Sequence, residues 1–222
     1  MGFIDFFIEF WPELNKAFFE TLLMVGIAVA IAILIGMPLG IVLYITDHGQ
    51  IIENKFIRAI SGLVTNLVRS IPFIILLVFL LPLTDKIVGT TIGPTAASVP
   101  LSVAAIPFFA RIVESAAREI DRGVIEAAVS VGAHPWTIIK DIILPEARPA
   151  IISGLTITII SLVGYSAMAG IVGGGGIGDL AIRYGYYRYD NNIMYTTVIV
   201  LIVIVQVIQF SGDLIAKKVN KR

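Results

Sequence analysis

Side chains able to perform covalent chemistry are few in this chain and poorly grouped for it. There is no cysteine, which removes thiol nucleophiles, disulfides and cysteine-ligated metal. The two histidines, His48 and His134, are far apart and no carboxylate cluster accompanies either, so a metal site is not expected. No Ser-His-Asp arrangement or carboxylate pair reads as a hydrolytic site. Residues 173–176, all glycine, are the stretch most like a phosphate cradle. They lack the Lys-Ser/Thr pair that a nucleotide loop needs, and no strand pattern precedes them. A flexible, tightly packed hinge is the better account. The sequence therefore offers no catalytic residue, no metal ligand set and no ATP site. Nucleotide-driven work by this chain needs the nucleotide on a partner.

What remains is the chemistry of contact, concentrated in residues 126–145, EAAVSVGAHPWTIIKDIILP. This is a polar interruption between apolar spans. Glu126, Ala127 and Ala128 extend a helix, and Ala128 and Gly132 at a spacing of four share a face where small side chains admit a close neighbour. Gly132 also suits a turn. Pro135 suits the first position of a new helix, because its missing N–H would have had no partner there. The following residues read as a short amphipathic helix. Pro135, Ile138, Ile139, Ile142 and Ile143 lie on one side, and Thr137, Lys140 and Asp141 on the other. Pro145 disfavours its continuation. Periodicity alone favours a re-entrant or membrane-surface helix without a partner over a docking element.

The spacing separates these. Glu126-Ala127-Ala128, three residues, Gly132, nine residues, Ile142, one residue and Leu144-Pro145 resembles the EAA loop of ABC-importer permeases, with every specified position filled. The resemblance implies a coupling helix seated in a groove of a cytoplasmic ATPase. Glu126, Ala127, Ala128 and Gly132 would shape the loop, residues 136–143 (Trp136, Ile139 and Ile142 among them) would fill the groove, and Leu144 and Pro145 would complete the segment. Residues 172–190, VGGGGIGDLAIRYGYYRYD, together with the chain length and span layout, resemble the methionine-uptake branch of these permeases. That branch implies two copies of the chain, two ATPase subunits holding Mg-ATP, and a lipid-anchored extracytoplasmic binding protein delivering D- and/or L-methionine. The cargo would cross by alternating access in a bacterial inner membrane. Another amino acid, a phosphonate or an osmolyte is the alternative cargo. A channel or scaffold working without an ATPase is the alternative class.

The elements that must position this hairpin follow from composition. The 222 residues are 57% hydrophobic and 14% charged, with mean hydropathy +0.94, against about 25% charged in soluble domains. An all-α integral membrane protein of one membrane domain, residues 1–222, is expected, and the resemblance makes it a permease domain. Sixteen basic and sixteen acidic residues give no net charge and no sign of a nucleic-acid partner. Five segments approach the roughly 20 apolar residues needed to cross a bilayer: 17–44, 60–83, 95–110, 151–172 and 193–215. Gly36 and Gly40 give the first a small-residue face, and Pro38 predicts a kink in it. The second is interrupted at Arg69-Ser70-Ile71-Pro72. Pro100 and Pro107 predict irregularity in the third, and residues 111–130 read as its helical extension. The pair Glu114 and Arg118 there reads as a solvated charged face worth about 0.2–0.5 kcal/mol. Residues 1–16, with Asp5, Glu9 and Glu13 before the first lysine, read as an uncleaved segment lying at an interface.

Lysine and arginine set the orientation. Lys55, Arg58, Arg111, Arg118, Arg122, Lys140, Arg148, Lys217, Lys218, Lys221 and Arg222 cluster in the loops after spans one and three and at the C-terminus. Five spans with the N-terminus outside and the C-terminus in the cytoplasm satisfy that bias and put the coupling hairpin, between spans three and four, in the cytoplasm. The fourth span is the least greasy, and by the family resemblance the span after the coupling helix lines the path, so Tyr165, Ser166 and Met168 are gate candidates. Arg69 is either a pathway element beside the Pro72 kink or a side chain snorkelling to headgroups. Its Arg-Ser-x-Pro run also resembles the second span of amino-acid importer permeases. Arg183 and Arg188 among Tyr184, Tyr186, Tyr187 and Tyr189 read either as an interfacial aromatic belt or, with Tyr186, as a docking surface for the binding protein.

Overall fold

The computed structural model describes residues 3–220, with side chains from residue 10 onward. Lys221, Arg222 and the side chains of Asp5 and Glu9 lie outside the described residues. All described elements are helices. Four are long and apolar enough to span a bilayer. The first is α1 (Phe3–Ile31) continued through a wider turn (Ala32–Gly36) into α2 (Met37–Ile45). The others are α6 (Pro94–Arg118), the run from α8 (Pro135–Thr137) through a second wide turn (Ile138–Ile143) into α9 (Leu144–Gly170), and α11 (Asn191–Val219). At 1.5 Å per residue, even the 25-residue α6 exceeds the roughly 30 Å of hydrocarbon.

The fifth candidate is a bent pair of helices. Helices α3 (Lys55–Ser70) and α4 (Phe73–Phe79) meet at 102°. The break falls at the expected interruption, for a local reason. Pro72 offers no N–H and forces its predecessor out of helical geometry, and Ile71 is extended at φ −87°, ψ 124°. A short α5 (Leu81–Val88) follows, ended by Gly89 in the left-handed region.

Three expectations need correction. The segment before span one is not set off from it, because α1 runs without interruption from Phe3 to Ile31. The extension of span three stops at Arg118. Asp121 then opens a new helix, α7 (Arg122–Ser130), by accepting from the Gly123 N–H at 2.7 Å. Pro145 does not end the amphipathic helix, which runs on to Gly170. A prolyl ring normally clashes with the carbonyl four residues back. Here the preceding turn is widened to an i→i+5 pattern, with the Leu144 N–H on the Ile139 carbonyl. The Ala32–Gly36 turn, with Met37 N–H on Ala32 O, stands before Pro38 in the same way.

The chain groups into two compact units, 1–29 with 72–103 and 159–208, and 30–71 with 104–158 and 209–222. In the second unit, glycine lets helices touch. A Cβ at Gly40 would meet the Ala110 carbonyl oxygen and come within 2.7 Å of Val113 Cβ, and one at Gly36 within 2.8 Å of the Ile106 carbonyl. The small-residue face expected of span one is therefore where α2 lies against α6. Gly40→Ala is expected to cost about 1–3 kcal/mol by overpacking, because backbone stands in the way. Thermal unfolding of the detergent-solubilised protein measures this, and an unchanged midpoint would contradict the close approach. In the first unit, Phe10, Leu14, Ala17, Ile177, Leu180 and Ile193 form a buried cluster. Outward, Leu34 is 73%, Phe56 74% and Phe210 68% exposed, a surface suited to lipid.

Candidate coupling hairpin and the side chains around it

The hairpin is built by backbone chemistry. Helix α7 ends in a paired closure, with the Gly132 N–H on Val129 O at 2.9 Å and the Ala133 N–H on Ala128 O at 3.1 Å. This six-residue closure requires a left-handed residue, and Gly132 has φ +78°. Gly132 thus makes the turn; it does not share a helical face with Ala128, which is buried while Gly132 is exposed. His134 caps the next helix, its Nδ1 accepting from the Trp136 N–H at 3.2 Å, and Pro135 takes the first helical position as expected. The two sides of this helix also match expectation. Ile138, Ile139 and Ile143 are buried, while Thr137, Lys140 and Asp141 are exposed.

That burial takes Ile138, Ile139 and Ile143 out of the groove-filling set expected over residues 136–143. Ile139 belongs to the chain's own core and supports the hairpin from within, and Ile142 and Leu144 are half-buried. What the hairpin presents outward is Glu126, Ala127, Val131 at 84% exposure, Trp136 at 65%, and Pro145. Two large apolar side chains flanking a rigid polar turn form a knob, as a docking element would.

Beside the hairpin lies a charge cluster that sequence reasoning missed. Glu114 is 3% exposed and sits among three guanidinium groups. Arg111 Nη1 donates to its Oε2 at 2.7 Å, and Arg118 Nη2 and Arg58 Nη2 reach its Oε1 at 2.8 and 3.0 Å. Asp47 receives Arg118 directly and Arg58 at 3.3 Å, and Asn66 accepts from Arg111 at 2.8 Å. The reading of Glu114 and Arg118 as a solvated face is therefore wrong. The bond from Arg118 holds the Asp47 carboxyl below the usual carboxylate range. Its contribution is present above the ordinary Asp value and is lost as pH falls through the lowered one.

In the same turn, His48 Nδ1 meets Glu53 Oε1 at 2.9 Å, which raises the imidazole above its ordinary value and lowers the Glu53 carboxyl. A raised histidine stabilises fully below its unfolded pKa of about 6.5 and loses that contribution as pH rises through the folded value. A nuclear-magnetic-resonance titration of His48 is expected to show this upward displacement and to lose it in Glu53→Gln. An equal midpoint in both would contradict the pairing.

The gate candidates divide. Met168 is exposed, and Tyr165 is half-buried, stacked on Phe73 with ring centroids 4.6 Å apart. Ser166 is buried and donates to Val163 O at 2.7 Å on its own helix, so it stands on the packed side of α9. Arg69 is exposed in the last turn of α3, where its charge suits a helix C-terminus. The glycine run is packed as expected, but pinned where flexibility was expected. The Gly176 N–H donates to Glu20 at 2.8 Å and the Ile177 N–H to Thr21 at 3.0 Å, opening α10 (Gly176–Leu180). Arg183 pairs with Asp179 at 2.6 Å, and Arg183 and Arg188 both approach the Tyr184 ring, at 5.5 and 4.5 Å. Tyr186 is exposed beside Tyr187. Among the described residues, no group of three or more His, Asp or Glu side chains could hold a metal ion.

Helices long and apolar enough to span a bilayer, exposed apolar side chains and a polar hairpin set between two of those helices define an integral membrane protein. Residues 36–222 match the family described as binding-protein-dependent transport system inner membrane component, and the chain belongs to that family. It is 52% identical over 217 residues to the probable D-methionine transport system permease protein MetI of Vibrio cholerae, covering 96% of both chains. It is 44% identical to the methionine import system permease protein MetP of Bacillus subtilis, covering 95% of both. A solved structure of the MetNI methionine ABC transporter in an inward-facing conformation superposes with a TM-score of 0.94 at 46% identity, over 96% of this chain and 99% of that one.

Proposed function

We propose that this chain is the membrane-spanning subunit of an ATP-driven methionine importer, carrying D- and/or L-methionine by alternating access. The carrying observation is one continuous helix, Pro135–Gly170, which bears the exposed Trp136 at one end and Tyr165 and Met168 toward the other. Trp136 and Met168 are separated by about 50 Å of helix at 1.5 Å per residue. In this reading a partner that moves the hairpin acts on the same helix that bears the gate residues. ATP closes the ATPase pair, the hairpins follow, and the permease switches between two rigid-body arrangements.

In this reading the 222 residues act as one permease domain. Two copies assemble with two cytoplasmic ATPase subunits that hold Mg-ATP, so hydrolysis belongs to the partner. Glu126, Ala127, Gly132, Trp136 and Pro145 face the ATPase, and Ala128, Ile139, Ile142 and Leu144 hold the hairpin's shape. Tyr165 and Met168 form the gate, Ser166 packs behind it, and Arg69 sits at the headgroup level. Arg183, Tyr186 and Arg188 receive an extracytoplasmic, lipid-anchored binding protein. The N-terminus lies outside and the C-terminus in the cytoplasm of a bacterial inner membrane.

Proteoliposomes holding this chain, its ATPase and its binding protein are expected to accumulate methionine only with ATP. Accumulation of a different solute would discard methionine and keep the mechanism. ATP-independent flux through the chain alone would contradict the mechanism itself. Met168→Ala is expected to raise leak or basal ATP hydrolysis about threefold, since a long flexible side chain leaves the closure. Wild-type leak and hydrolysis in that variant would make Met168 packing filler.

A further inference from the structure

The hairpin has a second neighbour besides its own helix. The turn formed by residues 46–54 is closed on itself, with the Ile52 N–H on Ile45 O at 3.0 Å, the Asn54 N–H on Thr46 O at 3.0 Å and the Gly49 N–H on Glu53 Oε2 at 3.1 Å. Asn54 then caps α3, its Oδ1 accepting from the Phe56 and Ile57 N–H groups at 3.1 and 3.0 Å. One side of this turn, Gly49, Gln50 and Ile51, shares the wall of a cavity of about 590 Å³ with Glu126, Val129 and Ser130 of the hairpin. The other side carries Asp47, bonded to Arg58 of α3 and Arg118 of α6, both of which also hold buried Glu114.

We propose that the 46–54 turn is a second transmission path from the hairpin, a rigid strut whose positioning residues are Asp47 and Glu114. A displacement of α7 presses the turn. Asp47 then carries α3 and α6 with it, because each guanidinium spans both carboxylates. Two arginines gripping two acids fix distance and direction together, which a single exposed ion pair does not. The strut moves α3, the first half of the broken span, which the continuous Pro135–Gly170 rod does not itself contain. This inference rests on the reading that an ATPase drives the hairpin.

The test uses the complete reconstituted transporter. Asp47→Asn keeps shape and removes charge. Solute moved per ATP hydrolysed is expected to fall about tenfold while hydrolysis stays within about twofold, the size of coupling that one network position controls. Asp47→Glu is expected to recover at least about half of the ratio, since it restores the charge-assisted bonds. A ratio unchanged in Asp47→Asn, or uptake and hydrolysis falling in parallel, would overturn the strut. A second measurement does not depend on the cargo. The chain has no native cysteine, so Gln50→Cys and Ser130→Cys can be tethered by a short bis-maleimide. If turn and hairpin move as one body, the tethered complex hydrolyses ATP at the untethered rate. Loss of hydrolysis on tethering would overturn the proposal. An absence of methionine movement in the wild type would instead count against the substrate reading, and the tether result would stand apart from it.

Discussion

Gly132→Asp is expected to leave the chain inserted and assembled as a membrane protein but to reduce ATP-driven uptake at least about thirtyfold, the scale of a central interface residue. Two effects combine. The turn holds Gly132 at φ +78°, where an L side chain costs about 1–2 kcal/mol, less for aspartate and asparagine than for most. The second effect is larger. A Cβ at this position meets nothing within 4 Å in the chain itself, so the new carboxylate projects from the knob between Val131 and Trp136. On docking it would lose its water without gaining a partner. Gly132→Asn separates the two, because asparagine tolerates the same backbone but carries no charge. It is expected to retain most of the uptake that aspartate loses. Equal loss in both would make the turn geometry the whole effect, and full uptake in Gly132→Asp would remove the hairpin from the interface.

Glu114→Ala is expected to destabilise the protein by about 3 kcal/mol, the low end for removing one partner of a buried ion cluster. The carboxylate is nearly inaccessible, and three arginines lose their shared acceptor when it goes. The cost stays at the low end because the Arg58, Arg111 and Arg118 side chains are 25%, 24% and 39% exposed and can turn toward water. Glu114→Gln keeps the volume and two acceptor sites and is expected to cost roughly half as much. Thermal unfolding in detergent reads both. A midpoint in Glu114→Ala equal to wild type would mean that the arginines are already satisfied by solvent or lipid headgroups.

Much of the architecture could be read from residue order, because the determinants are local. Pro72 sets the break in span two through its missing N–H and the restraint on Ile71, and both are visible in the sequence. The spacing of Gly36 and Gly40 announces a close helix contact without naming α6 as its partner. The hairpin was legible from Glu126 to Pro135 because a helix, a glycine turn and an N1 proline follow one another in order. Its end was not, because the rule that proline stops a helix assumes an ordinary 3.6-residue turn, and Pro145 follows a widened turn at Ile138–Ile143. Ile139 was misjudged for a related reason. An apolar stripe shows that a face is covered, not whether a partner or the same chain covers it. The Glu114 cluster was hidden because the helix spacing rule sees only the Glu114 and Arg118 pair. Asp47 and Arg58 arrive from another stretch of chain, and their approach is a tertiary fact. The glycine run misled in one respect: four glycines in a row suggest freedom, but bonds from the Gly176 and Ile177 N–H groups to Glu20 and Thr21 fasten the end of the run.

The central claim is that this membrane subunit is worked by a separate ATPase in response to methionine. The most direct test is affinity purification of the tagged chain from its native membrane, identification of what accompanies it, and assay of ATP hydrolysis with and without methionine-loaded binding protein. The account predicts a co-purifying ATPase whose hydrolysis rises several-fold with the loaded binding protein, and loss of that ATPase from the Gly132→Asp chain. A chain that emerges without any ATPase, or with one indifferent to every loaded binding protein, would contradict it.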